Sequence, residues 1–324
     1  MLTRLLLAAH CAAALARGGG RSPLLFGFYA DNLTATPYVS VHQADTLADA
    51  AAAFAAFKVP SLLSVYGAVF QGAPRRLVLQ PQWREQLAAL IAAAAPLQQQ
   101  GAVLGFNLGD ELVWNCLAPA NLSLVASAVR AQCPRGSCTL WYNEAAVFKG
   151  PSTPFSDSCG NPVTDWAIPA ALDLFSTDIY HMDGLVEGWV ADRVRGFYDS
   201  FVFPFLAPGQ RVVLVPGSFG SDVNHYPNGT YVCDRACYDA MCAHDAVDFG
   251  AWAAQDERVA GVFPWNWHGC PACNGSRWTP PHTCCMDELG TSVMPRTAAA
   301  WEALFAPAAA PPAAPPPPPL GRRH

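Results

Sequence analysis

Lysine is nearly missing from this chain of 324 residues: Lys58 and Lys149 are the two it has, and charged residues make up 14%. No Lys/Arg run is present to track phosphates and the net charge is −6, so nucleic acid is not an expected partner. No glycine-rich phosphate loop follows the first strand-like run, which argues against a nucleotide-binding sheet. No H-x-H or H-E-x-x-H spacing occurs, and no cofactor or metal is predicted. The N-terminal apolar run, Leu5 to Leu15, is too short to cross a bilayer, so no stable membrane insertion is expected.

What is present points to export. Arg4 ahead of the apolar run and Ala14-Leu15-Ala16 behind it read as a signal peptide over residues 1–16. Four sequons, at Asn32, Asn121, Asn228 and Asn274, predict N-glycans on a secreted protein. Twelve cysteines fit the same oxidising compartment. Cys11 leaves with the leader, and the odd remainder leaves at least one thiol free or paired with another chain. The cluster His268-Gly269-Cys270-x-x-Cys273 with His282 and Cys284-Cys285 is read as a disulfide-pinned loop rather than a zinc site. Cys284 and Cys285 are expected to have different partners, because a vicinal bridge is strained.

Between the leader and an Ala/Pro-rich tail over 307–324, expected to be disordered, residues 17–306 read as one α/β domain. Eight short apolar runs look like strands buried on both faces: 24–29, 38–42, 61–66, 103–108, 139–142, 172–179, 211–216 and 259–264. Helical patterns fill most connections, at 45–57, 82–95, 121–131, 186–201 and 234–255. None separates the first run from the second. Strand–helix alternation carried to eight predicts a (β/α)8 TIM barrel, pinned by disulfides.

In such a barrel the residues after each strand converge on one face. Leu104-Gly105-Phe106-Asn107-Leu108-Gly109-Asp110-Glu111 is the most telling, an apolar strand that Gly109 should end, with two carboxylates at its lip. The other strand ends supply Tyr29 and Asp31, Tyr66, then Tyr142, Asn143 and Glu144. Asp178, Tyr180 and His181 follow the sixth strand, Ser218 and Phe219 the seventh, and Trp265, Asn266, Trp267 and His268 the eighth. Carboxylates, aromatics and amides with almost no cations suit a carbohydrate, and two carboxyl groups are what most glycosidases require. Neighbouring strand residues face opposite ways, so Asp110 and Glu111 serve one site only if the strand bulges.

The candidate catalytic residues are Glu111 as proton donor, Asp110 as its electrostatic neighbour, and Glu144 or Asp178 as the partner carboxylate. The candidate sugar-binding residues are Tyr29, Tyr66, Trp114, Tyr142, Asn143, Tyr180, His181, Trp265 and Trp267.

Over residues 24 to 305 the chain resembles the (β/α)8 glycoside hydrolases. The clan with two catalytic glutamates carries Asn-Glu after its fourth strand, where this chain has Asp110-Glu111. Its nucleophile follows the seventh strand, and Pro216-Gly217-Ser218-Phe219 offers no glutamate there. Leu108-Gly109-Asp110-Glu111-Leu112 is similar to the Gly-Asp-Glu motif of hexosaminidases. That resemblance implies a substrate 2-acetamido group as nucleophile, with Asp110 orienting it, Glu111 as acid, and Tyr180 or a strand-eight tryptophan lining the pocket. Two rival readings are a barrel that binds glycans without cleaving them, and a metal-dependent hydrolase using Asp31, His181, Asp178 and His268.

Overall fold

A computed structural model describes residues 24–29, 39–72, 76–145, 154–180, 193–220, 235–265 and 289–305. The expected signal peptide, the Pro-rich tail, the sequons at Asn32, Asn228 and Asn274, and the cysteine cluster from Cys270 to Cys285 lie outside those residues. Asn121 is half-buried near the start of a helix.

All eight strand-like runs contribute to one parallel sheet. Its strands are β1 (Leu25–Phe26), β2 (His42–Ala44), β3 (Ser61–Ser64), β4 (Val103–Asp110), β5 (Thr139–Ala145), β6 (Leu174–Ile179), β7 (Arg211–Pro216) and β8 (Val259–Val262). Their order across the sheet is β1-β8-β7-β6-β5-β4-β3-β2, so the chain winds steadily round and the sheet curls. β1 and β2 stand at its two edges. The segment leading into β2 nonetheless bonds to β1: the N–H groups of Ser40 and Val41 donate to Phe26 O at 2.7 and 3.1 Å, and Phe26 N–H donates to Ser40 Oγ at 2.7 Å. Gly27 permits that approach, since a Cβ there would stand 2.4 Å from Val41 O.

The second strand was expected at 38–42 but pairs only from His42, because residues 40 and 41 spend their N–H groups on β1. β4 also departs from expectation. Gly109 does not end it; the strand runs through to Asp110.

Period-2 alternation divides the apolar residues into two layers. Trp141, Val213, Val215, Leu174 and Leu62 point inward with Tyr29, Val41 and Phe263. Tyr142, Val212, Leu214 and Phe175 point outward, against the helices. Burial on both faces is why these strands read as unbroken apolar runs.

The longer helices among the described residues are α1 (Leu47–Phe57), α2 (Trp83–Gln99), α3 (Pro119–Gln132), α4 (Arg195–Phe201), α5 (Arg235–Gln255) and α6 (Pro295–Phe305). Thr46 and Asp49 form a capping box at the start of α1, and Pro119 opens α3 where its missing N–H costs nothing. Between β5 and β6 the described residues form a hairpin, Phe155–Ser156 with Pro162–Val163. α6 was not anticipated; Asp239 on α5 accepts the N–H groups of Arg296 and Thr297 at its first turn, and Trp301 is fully buried against Phe26.

Cys116–Cys159 and Cys133–Cys138 are disulfides, with Cα separations of 6.1 and 5.6 Å. Cys237 is also disulfide-bonded, and Cys242 is buried close by on the same helix. Among the described residues no helix is long and apolar enough to cross a membrane.

Candidate active site

Asp110 and Glu111 reach one site because β4 bulges. Asn107 on β4 pairs with Trp141 on β5, and the next pair is Asp110 with Asn143. Three steps along β4 therefore match two along β5, which inserts one extra residue. Gly109 takes φ +138° to absorb it, and its N–H is held by Asn107 Oδ1 at 3.0 Å. Glu111 itself sits at φ +48°, a left-handed conformation uncommon for glutamate, and its N–H donates to Asn143 O at 3.0 Å. Such backbone persists only where its surroundings hold it.

Asn143 gathers the acids. Its Nδ2 donates to Asp110 Oδ1 and to Asp178 Oδ1, both at 2.7 Å. The carboxyls of Glu111 and Asp178 also act on each other, and Glu111 raises Asp178 by its charge. Asn143 Oδ1 is buried without a hydrogen-bond partner among the described residues. Beneath the acids lies an aromatic floor: the Tyr29 ring is 5.2 Å from Trp141 and 5.1 Å from Trp265, and Trp141 meets Phe263 edge-on at 4.9 Å. Trp141 Nε1 is satisfied by Ser176 Oγ at 2.9 Å.

Burial sets the electrostatics here. It pushes the Asp110 carboxyl up to about 7, helped by the charge of Asp178 and opposed by the Asn143 hydrogen bond. Glu111 is raised to about 7 by burial and then by Asp110, and Asp178 to about 8 by burial and then by Glu111. Tyr29 and Tyr180 are pushed up by burial and by the same acids. No cation among the described residues relieves this cluster.

The other sequence candidates divide by strand parity. Tyr180 is half-buried and packs with the inward layer, as does Trp265. Tyr142 and Glu144 lie on the opposite face of β5 from Asn143, and both are fully buried. Trp114 is half-buried on the loop after β4, and its N–H donates to Glu144 Oε1 at 3.2 Å. Tyr66 begins a helical turn after β3, 36% exposed, with Phe70 at 5.6 Å. His181 and Trp267 lie outside the described residues, as do Asp31 and His268. Two residues that sequence reasoning passed over support the site, Asn107 and Ser176. Asn107 carried a signal, a short amide two residues before a glycine, where it can bond the backbone locally.

No protein-family pattern matches the sequence, and no curated protein matches it. Solved structures do. An active-site mutant of the Rhizomucor miehei β-1,3-glucanosyltransferase with laminaritriose superposes with a TM-score of 0.51 at 13% identity, covering 83% of this chain and 94% of that one. The GH2 β-galacturonidase from Eisenbergiella tayi gives 0.51 at 12% identity, and the β-D-glucuronidase of Dictyoglomus thermophilum 0.52 at 10%. Each of these two covers 84% of this chain, which spans 46% of their length.

By fold, the chain resembles the (β/α)8 glycoside hydrolases.

The resemblance read from the sequence would place a nucleophile at the end of β7. Ser218 occupies it here, fully buried, with its Oγ 2.7 Å from Thr291 Oγ1 and accepting from Trp301 Nε1 at 3.0 Å. It closes a structural cluster and presents no acid. The one group of metal-type side chains among the described residues is Cys116, Asp157 and Cys159, and its two cysteines are already joined as a disulfide.

Proposed function

We propose that this chain is a secreted glycoside hydrolase whose sheet closes into a (β/α)8 barrel and which hydrolyses O-glycosidic bonds of a carbohydrate. The observation that carries the reading is the β4 bulge, which brings Asp110 and Glu111 together with Asp178 around Asn143 at the strand ends. Barrel closure is supported by the bonds from Ser40 and Val41 to Phe26 across the sheet edges. The disulfides agree with an oxidising, extracellular setting.

Glu111 is the proton donor. Its proton passes to the glycosidic oxygen as the bond to the anomeric carbon breaks, and the aglycone leaves as an alcohol. A water then adds to that carbon and returns a proton to Glu111. The anionic member of the Asp110–Asp178 pair stabilises the positive charge that develops on the sugar. Because β7 ends in a sealed serine, no acid attacks from there, and the attacking group is water, the substrate's own 2-acetamido oxygen or the partner carboxylate Asp178. Tyr29, Tyr180 and Trp265 form the sugar-facing wall, with Tyr66 and Trp114 further out.

The test is a panel of aryl and alkyl glycosides, N-acetylhexosaminides included, turned over by the native protein and by Glu111→Gln. The native protein is expected to act on at least one sugar. For that sugar the variant should lose about 10²–10⁴-fold with alkyl leaving groups. With acidic phenols, which need little protonation, it should lose far less. An equal loss across the series would remove Glu111 from the acid role. Sugar binding without turnover would favour the reading the missing β7 acid already supports, a glycan-binding barrel. Activity abolished by chelator would favour the metal-dependent hydrolase.

A further inference from the structure

Behind the acids, on the outer face of β5, Glu144 is buried without an ion pair among the described residues. Its carboxylate is met by hydrogen-bond donors instead. Oε2 accepts from Val113 N–H at 3.1 Å and from the Tyr142 hydroxyl. Oε1 accepts from Trp114 N–H at 3.2 Å and from its own neighbour, Ala145 N–H, at 2.9 Å. Tyr142 Oη in turn accepts from Leu112 N–H at 3.1 Å and Val113 N–H at 3.4 Å.

The three N–H groups that follow Glu111 in sequence, at 112, 113 and 114, therefore all end on this tyrosine–glutamate pair. On the near side, Asn115 folds back, its N–H and its Nδ2 donating to Glu111 O at 2.8 and 3.0 Å. Glu111, at φ +48°, is thus the pivot of a turn whose far limb is fastened to the outer layer of the protein. A carboxylate suits the place, since its two oxygens face converging donors. A glutamine has one oxygen and would turn an NH2 toward them; an apolar residue would leave buried N–H groups unsatisfied.

We propose that Glu144 is a positioning residue: acting through Tyr142 and the backbone of residues 112–114, it sets the Glu111 carboxyl opposite Asp178, and it does not touch substrate. This rests on the glycosidase reading for its catalytic consequence, though the clamp itself is testable without it.

The experiment takes Glu144→Gln and, as a milder change, Tyr142→Phe in the full chain. It measures amide hydrogen exchange at residues 112–114 together with kcat, KM and the pH profile on the best substrate. Exchange at those amides should rise about tenfold or more while the helices away from the loop keep their protection. In Glu144→Gln, kcat should fall about 10–100-fold with KM held within about threefold. The high-pH limb of activity should also move to lower pH, since the charge of Glu144 is one of the influences raising Glu111. A merely structural role would lower stability and leave kcat of the folded protein unchanged. Unchanged exchange at 112–114 overturns the clamp. So does a kcat loss with intact protection that added formate restores, which would make Glu144 a reacting carboxylate. Raised exchange with kcat and pH profile unaltered overturns the link to Glu111. If the native protein cleaves no glycoside, the glycosidase reading and this catalytic link fail together, while exchange still decides the clamp.

Discussion

Glu111, just past the end of β4, and Asp178, in β6, act on each other across the lip of the sheet although 67 residues separate them (178 − 111). Two carboxyls in contact cannot both ionise cheaply, so they titrate as a pair and hold a proton into the neutral range. β5, which lies between them in the sheet, supplies the amide that anchors Asp178. The arrangement keeps an acid ready to donate at pH values where an isolated glutamate would have lost its proton.

That pairing makes stability depend on pH with a definite sign. Asp110, Glu111 and Glu144 are each raised to about 7 and Asp178 to about 8, all chiefly by burial. Unfolded carboxyls titrate near about 4, so between there and about 8 the folded protein binds more protons than the unfolded chain. Stability must then fall as pH rises through that window. Asp178→Asn, which stays neutral, should match the native protein near pH 4 and exceed it at pH 8 by on the order of a few kcal/mol. Thermal unfolding of both proteins across pH 4–8 checks this; parallel curves would contradict it.

Gly109 is the residue that lets the bulge form. At φ +138°, an added Cβ would meet the Leu112 side chain at 3.0 Å as well as an unfavourable backbone. Gly109→Ala should cost about 1–3 kcal/mol of stability. Because Asp110 and Glu111 follow directly, it should also lower kcat more than a control substitution on the helices that reduces Tm equally. Denaturant unfolding and steady-state kinetics on the two variants decide the point.

The charge of the site predicts what it refuses. Several proteins of similar fold are uronidases, the Dictyoglomus glucuronidase and the Eisenbergiella galacturonidase among them. Here three carboxyls converge with no cation beside them among the described residues. A glycoside bearing its own carboxylate would bring a further buried anion to a site whose acids already resist ionising for want of a counter-charge. Uronides should be cleaved at least about 10²-fold less efficiently than the neutral hexosides of the same configuration. Comparable rates on both, measured as kcat/KM at pH 6–7, would mean that a cation reaches the site.

Much of this was legible in the chain itself. The eight strands announced themselves through short β-branched and aromatic runs, because burial on both faces leaves no polar interruption. The carboxyls Asp110, Glu111 and Asp178 were visible as polar residues at strand ends. α6 was harder to see, since its helical stripe becomes meaningful only against α5 and β1, where Asp239 holds its first turn and Phe26 receives Trp301 and Phe305. β2 was misplaced by a few residues because residues 40 and 41 bond to β1, a partner distant in sequence.

The sequence by itself determined the alternation of strands and helices, the polar residues available at the strand ends, and the rule that neighbours in a strand face opposite ways. It did not determine which way. Asn143 and Glu144 are adjacent and both polar, and only the packed sheet turned the first toward the acids and the second toward the backbone of the loop after β4. Parity is local, but its sign is a property of the whole core, because one slip of register exchanges the two faces. The same holds for the bulge: Gly109 permits an extra residue in β4, and the pairing with β5 is what placed it there, bringing two neighbours that alternation keeps apart into one site.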